Sequence, residues 1–156
     1  MTASINEILR DKVAGVWEGT YTVLDPNGNQ LERFASRQEG RMEGTTWTER
    51  VTYLREGQEP YEHYYHATVE GDQVDFHNTN MWGETSRVGG EAVIFLFGWH
   101  ERPDERIIEV TRPSGDYRTR VWQHFTKGEL SKLTIIEERR VPGAEAVRWD
   151  PADKKV

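Results

Sequence analysis

A carboxylate and an imidazole are predicted to face the same interior from neighbouring strands. Side-chain alternation groups Glu49 with Tyr53 along one extended segment and His63 with Tyr65 along the next. Loss of hydration raises the pKa of a carboxyl and lowers that of an imidazole, so that one group accepts a proton and the other returns it near neutral pH. These four residues are the predicted catalytic groups of cofactor-independent acid–base chemistry. A register slip of one residue would place His66 on this face instead of His63.

The same carboxylate has a structural alternative. Glu49 would then pair with an inward-facing arginine and stabilise the interior without doing chemistry. Residues 117–126 carry Arg118 and Arg120 on one face, although hydrophobicity alone favours the other face, with Val121, inside. An inward Arg120 would hold a ligand carboxylate or phenolate by a bidentate contact. If this face points outward instead, Arg118 and Arg120 would form a solvated basic surface.

Aromatic side chains must fill much of the interior, because the chain holds six Trp, six Tyr and five Phe. The polar tips of buried Tyr and Trp need partners, which suits a polar or aromatic ligand. The predicted ligand-binding residues are Tyr21, Trp47, Phe76, Trp82, Arg120, Trp122 and His124.

Other chemistries lack their residue patterns. His63 and His66 lie on opposite faces of one strand and cannot chelate one ion without a bulge, and the other histidines are on separate segments. The glycines fall at hairpins rather than in a phosphate-binding loop, and no serine lies in a nucleophile elbow. We therefore predict no metal and no cofactor.

Composition indicates one acidic domain. The 156 residues carry a formal net charge of -7, which disfavours nucleic acid and anionic membranes as partners. The chain has no cysteine, no apolar run long enough to cross a membrane and no signal-peptide core, which favours a cytoplasmic protein. The predicted partner is a small molecule, and a homodimer is left open.

The first residues predict one amphipathic helix. Apolar residues recur at helical spacing from Ile5 to Val13, with Thr2 or Ser4 as the N-cap and Gly15 as the end.

Gly15-Val16-Trp17 then begins the first strand. The glycine lets the chain lie close to a barrel floor, and Trp17 plugs the closed end. An arginine is expected to stack on this tryptophan, with Arg139 as the candidate.

The rest of the chain reads as strands joined by short hairpins. Nine are predicted, at residues 16–24, 30–41, 45–55, 61–70, 73–79, 91–100, 106–111, 117–126 and 129–141. The predicted fold is an all-β, lipocalin-like up-and-down antiparallel β-barrel of residues 1–141, with the short helix closing its floor. A β-sandwich is the alternative. Residues 80–90 form either a flap over the mouth or a short extra strand, and residues 142–156 a polar, partly disordered tail.

Both ends of the barrel resemble one family. The C-terminal part reads YRTRVWQHF from Tyr117, then KGEL from Lys127 and TIIEERR from Thr134; the N-terminal part reads GVWEGTY from Gly15 and LDPNG from Leu24. These runs resemble a bacterial lipocalin-like family of unknown function that is distantly related to the phycobilin lyases of cyanobacteria. The resemblance implies a calycin-type barrel that closes around a small molecule, and it implies no particular reaction.

Two classes of function compete for such a barrel. One is a cofactor-independent lyase, isomerase, cyclase or hydratase acting on an aromatic or polyketide-like substrate, which the titratable groups in the predicted interior favour. The other is a carrier or sensor that binds a small hydrophobic or tetrapyrrole-like ligand without chemistry.

Overall fold

The computed structural model describes residues 2–154, which form a single antiparallel sheet of ten strands. The strands are β1 (Gly15–Leu24), β2 (Gln30–Glu43), β3 (Thr46–Leu54), β4 (Tyr61–Glu70), β5 (Gln73–Phe76), β6 (Met81–Val88), β7 (Ala92–Trp99), β8 (Glu105–Ser114), β9 (Tyr117–Thr126) and β10 (Glu129–Arg140). Their order in the sheet is β5-β4-β3-β2-β1-β10-β9-β8-β7-β6. Strands that follow one another in sequence are paired, except β5 and β6, and β1 also pairs with β10, so that the sheet curls into a nearly closed up-and-down barrel. The predicted all-β barrel is confirmed.

The short helix closes one end of this barrel, which we call the floor. Helix α1 (Ile5–Ile8) begins at Ser4, whose side chain and backbone form a capping box with Glu7, and it continues as a π-helical turn, Leu9–Val13. The apolar face of this segment packs on Trp47, Ala67, Val69 and Val93. No helix among residues 2–154 is long and apolar enough to cross a membrane.

Trp17 completes the floor. The side chain is fully buried and its Nε1 donates to the Val13 carbonyl oxygen at 2.8 Å. Two guanidinium groups lie over the indole, Arg118 at 4.2 Å and Arg140 at 4.3 Å. The expected arginine stacking on Trp17 is therefore confirmed, but the candidate Arg139 was wrong, because alternation turns it outward, where it lies over Tyr117.

The predicted common face of β3 and β4 is confirmed. Glu49 lies directly opposite Tyr65, and Val51 lies opposite His63, so these residues share one face of the sheet. At Gly19, β1 lies too close to β10 for a side chain, since a Cβ there would lie 1.8 Å from the Glu137 carbonyl oxygen.

The longer link at residues 80–90 is strand β6 and not a flap. Its eight residues, Met81–Val88, pair with β7 along their whole length. No ladder joins β6 to β5, so the barrel has one seam. Phe76 packs on Gly83 across it, where an added Cβ would lie 2.5 Å from the ring. Asp72 also bridges the seam through an ion pair of 2.7 Å with Arg87.

The C-terminal tail, residues 142–154 as described, packs against the outside of the barrel, where the sequence predicted partial disorder. Trp149 makes edge contacts with Tyr64 and His66 on the outer face of β4. Arg41 donates to the Ala146 carbonyl oxygen at 2.9 Å. A 3-10 turn, Pro151–Asp153, follows. Residues 155–156 of the predicted tail lie outside the described residues.

Candidate functional site

The barrel encloses a central cavity of about 100 Å³ between the floor and the opposite end, which we call the mouth. Its walls are mostly apolar, with a band of charged and phenolic groups at mid-depth. The polar lining residues are Tyr21, Gln38, Glu49, Tyr53, Tyr65, His66, Glu109, Thr111, Arg118 and Arg120. A concave apolar site with a few convergent polar groups is the usual form of a small-molecule site.

Arg120 lies at the centre of this band, so the arginine face of β9 points inward. Its Nε and Nη2 donate to the two Glu138 carboxylate oxygens at 3.1 and 2.9 Å. Nη2 also donates to the Tyr21 hydroxyl at 2.8 Å, and Nη1 lies 3.6 Å from a Glu109 oxygen. The guanidinium is thus satisfied by protein groups and is not a free anchor for a ligand anion.

Glu49 makes no ion pair within residues 2–154. Gln38 Nε2 donates to one of its carboxyl oxygens at 2.5 Å and Trp47 Nε1 donates to the other at 3.1 Å. Burial raises the pKa of Glu49, although Arg120 and the Gln38 hydrogen bond partly oppose this. The direct Glu49–arginine pair of the structural alternative is therefore absent from the described residues.

His63 lies on the same wall as Glu49 but nearer the mouth. Its ring stacks on Tyr65, with centroids 5.8 Å apart, and makes edge contacts with Tyr53 and Tyr61 at 5.8 and 4.8 Å. Burial lowers the pKa of His63, so the neutral imidazole is the form near pH 7. No hydrogen bond within residues 2–154 joins His63 to Glu49.

His66, the alternative in the event of a register slip, faces outward. Its ring centroid lies 5.4 Å from that of His77, on the side of β4 covered by Trp149. The β3–β4 register thus places the His63 side chain on the same face as Glu49. His66, and not His63, is nevertheless among the residues that border the central cavity, and the catalytic role of His63 stays a prediction.

The interior tyrosines are neutral hydrogen-bonding groups. Burial raises the pKa of Tyr53 to about 12 and those of Tyr21 and Tyr65 well above the ordinary value. Tyr53 and Tyr65 therefore present hydroxyl groups, not phenolates, to the cavity at neutral pH.

Five of the seven predicted ligand-binding residues line the cavity: Tyr21, Trp47, Phe76, Arg120 and Trp122. Trp82 does not, because inward Met81 turns its neighbour outward, where Arg106 lies 5.2 Å over the indole. His124 faces inward beside Trp122 but lies at the mouth, outside the central cavity, in contact with Thr134 at 3.1 Å. Burial, with Lys132 and Arg102 nearby, lowers the pKa of His124 to about 4.

Sequence reasoning missed three polar residues of this region, Gln38, Glu109 and Glu138. Glu138 lies opposite Arg118 in the β9–β10 register and accepts hydrogen bonds from both arginines. Gln38 donates to Glu49, and Glu109 forms an ion pair with Arg120. The inward position of Glu138 could have been predicted from side-chain alternation in β10, which places it on the same face as the apolar Ile136. No group of three or more potential metal ligands occurs among residues 2–154.

Comparisons with known proteins identify a family and a shared fold. A DUF3598-family protein of unknown function from Nostoc punctiforme PCC 73102 superposes with a TM-score of 0.60 at 13% identity. The alignment covers 90% of this chain and 51% of that one, so the chain spans about half the length of the Nostoc protein. Rv2717c from M. tuberculosis superposes with a TM-score of 0.61 at 14% identity, covering 89% of this chain and 99% of that one.

At these identities the likeness extends to the fold alone. No curated protein matches this chain. The N-terminal model of DUF3598, described as a domain of unknown function, matches residues 1–142. The chain therefore belongs to the DUF3598 family.

Proposed function

We propose that this barrel binds a small molecule and catalyses proton transfer on it without a cofactor, as lyases, isomerases, cyclases and hydratases do. The observation that carries the proposal is Glu49, a half-buried carboxyl on the cavity wall whose only hydrogen-bond partners within residues 2–154 are the neutral donors of Gln38 and Trp47. A carboxyl that makes no ion pair and whose pKa is raised by burial is suited to act as a general acid or base.

The size of the cavity restricts what part of the substrate lies inside. A cavity of about 150 Å³ holds one benzene molecule, and the central cavity measures about 100 Å³. The reacting end of the substrate therefore fills the cavity, and the remainder extends towards the mouth. Tyr53, His63 and Trp122 present ring faces and edges there, which suits an aromatic or polyketide-like substrate.

His63 is the second proton-transfer group in this proposal. Its imidazole is neutral near pH 7 and lies one residue pair closer to the mouth than Glu49. The two groups then reach the substrate from different depths on one wall, with the Tyr65 hydroxyl beside them as a neutral donor.

The test is a product screen. Wild-type protein is incubated with a panel of small aromatic and polyketide-type ketones, and isomerised, cyclised or hydrated products are followed by liquid chromatography and mass spectrometry. Glu49→Gln should lower turnover by about 10²–10⁴-fold. Glu129→Gln, at an exposed position on β10, is the matched control and should leave turnover unchanged.

His63→Ala tests the second group against its outward neighbour. The variant should lose turnover to a similar degree, whereas His66→Ala should retain it. Full turnover in both Glu49→Gln and His63→Ala would contradict the assignment of these residues.

A carrier or sensor is the second candidate. The observation that favours it is the mutual satisfaction of Arg120, Glu138 and Glu109, which stabilise the interior without a ligand. A tetrapyrrole-like ligand, suggested by the resemblance to relatives of phycobilin lyases, belongs to this candidate. Titration with haemin would then produce a bound Soret band, and ligands of the panel would bind with no product formed.

A further inference from the structure

Arg118 carries a buried hydrogen-bond donor that the protein does not use. The side chain has no solvent exposure and lines the floor side of the central cavity. Its Nε donates to Glu138 at 2.6 Å, and its Nη2 donates to the Gln38 side-chain oxygen. Nη1 is buried and has no partner within residues 2–154. Buried donors are nearly always paired, and an unpaired one is costly, so an acceptor from outside the chain is expected at this position.

The guanidinium is held in a fixed orientation. It stacks on Trp17 at 4.2 Å, and its two bonded nitrogens tie it to β10 and β2. A donor fixed in this way can bind a ligand atom without the loss of conformational entropy that ordering a flexible side chain requires.

The charges around the cavity select a neutral acceptor. Three carboxyl groups, those of the buried Glu109 and Glu138 and the half-buried Glu49, surround the two guanidinium groups of Arg118 and Arg120. A ligand carboxylate would add a fourth acidic group to this interior. A carbonyl oxygen accepts the same hydrogen bond without that charge.

The Gln38 side chain connects Arg118 to Glu49, the proposed acid–base group. Its side-chain oxygen accepts from Arg118, and its Nε2 donates to Glu49 at 2.5 Å. Arg118 and Glu49 therefore lie on either side of one amide, and each affects the charge balance of the other.

We propose that Nη1 of Arg118 binds the carbonyl oxygen of a ketone substrate and that Glu49 transfers the proton on the carbon next to that carbonyl. This inference rests on the proposed function, whose substrate class it specifies.

The step is a balanced isomerisation. The Glu49 carboxylate takes the proton from the carbon beside the carbonyl, and the C–H electron pair moves to form an enolate. The negative charge develops on the oxygen that Arg118 contacts. In a ketone with a carbon–carbon double bond at the β,γ position, the enolate extends over that bond. Return of the proton from Glu49 to the γ carbon then gives the α,β-unsaturated isomer, with no oxidant, reductant or co-reactant.

The first experiment compares cyclopentanone with methylenecyclopentane, which has the same shape and no acceptor. Binding is followed by NMR on the wild-type protein, including the side-chain N–H resonances of Arg118. Cyclopentanone should shift these resonances and bind roughly tenfold more tightly, as one hydrogen bond to a charged donor implies. Equal affinity of the two probes would overturn the carbonyl site while leaving the ligand-binding barrel intact. Failure of both probes to bind would contradict the proposed function as well.

The second experiment measures the proton transfer itself. Exchange of the α-protons of cyclopentanone into D₂O is followed by NMR, and wild-type protein should accelerate it. Glu49→Gln should abolish the acceleration, and Glu129→Gln should keep it. A preference for the ketone without faster exchange would overturn the enolate step.

The third experiment removes the donor. Arg118→Met should lose the preference for cyclopentanone over methylenecyclopentane, and a preference that survives would place the acceptor elsewhere. If this variant does not fold, the Arg118 resonances of the wild-type protein decide the question alone.

Discussion

The floor and the middle of this barrel are both buried, yet their contacts differ in kind. At the floor, Ile5, Ile8 and Val69 are almost fully buried and belong to one apolar cluster. At mid-depth, Arg118 is fully buried and its Nη1 has no partner within residues 2–154, while the half-buried Glu49 makes no ion pair among these residues. Of these two regions, only mid-depth keeps polar groups in an interior where they cost stability, which is the pattern expected at a functional site.

The largest expected effect is at the floor. Trp17→Ala removes an indole packed between two guanidinium groups and should lower the free energy of unfolding by roughly 3–5 kcal/mol, as large aromatic core truncations do. Trp82→Ala, on the outer face of β6, should cost less than about 1 kcal/mol. Urea denaturation of both variants gives the comparison. An unchanged stability for Trp17→Ala would show that the tryptophan does not close the barrel.

The next largest expected loss of stability comes from removing the carboxylate that Arg118 and Arg120 share at mid-depth. Glu138→Gln leaves Arg118 and Arg120 without their shared carboxylate and should cost about 3 kcal/mol. The arginines hold the pKa of Glu138 below its ordinary 4.5 even though burial raises it, so its contribution is present above pH 4.5 and is lost as pH falls through the native pKa. The deficit of the variant should therefore shrink in acid. The matched control is Glu18→Gln at an exposed ion pair, which should change stability by less than about 1 kcal/mol.

The smallest expected effect is at Glu49, where substitution should raise the free energy of unfolding instead of lowering it. Burial raises the pKa of Glu49 above its ordinary 4.5, so its stabilising contribution is complete below pH 4.5 and is lost as pH rises through the native pKa. Glu49→Gln should then be more stable than wild type at pH 7.5, with little difference at pH 4.5. Urea denaturation at the two pH values measures this. A variant less stable than wild type at pH 7.5 would show that Glu49 belongs with the structural contacts of the floor.

Sequence alternation predicted the inner faces where the two faces of a strand differ in hydrophobicity. In β3, Trp47 and Val51 alternate with Thr48 and Arg50, so the inward position of Glu49 followed from its neighbours. In β9 both faces mix apolar and charged residues. Arg118 and Arg120 are stable inside only because Glu138 and Glu109 reach them from other strands, and such pairings are not visible in one strand.

The identity of β6 illustrates a second limit. An edge strand needs little apolar alternation, and Gly83 reads as a turn signal although it is the surface on which Phe76 packs. Residues 80–90 therefore fitted a flap and a strand equally well. The outward position of Trp82 depends on that distinction. The unpaired donor of Arg118 depends instead on contacts with β2 and β10, which no residue spacing encodes.

The C-terminal tail supports one wall of the barrel from outside, whereas the β5–β6 seam has no hydrogen-bonded ladder. Residues 142–154 cover the outer surface of β2 and β4, where Val147 donates to Glu39 at 3.3 Å, so this wall is supported on both sides. The seam between β5 and β6 lies next to this wall, and there one ring and one ion pair stand in place of a hydrogen-bonded ladder. The barrel is therefore held together least strongly at the seam, and we expect β5 and β6 to separate before any other pair of neighbouring strands when the barrel opens.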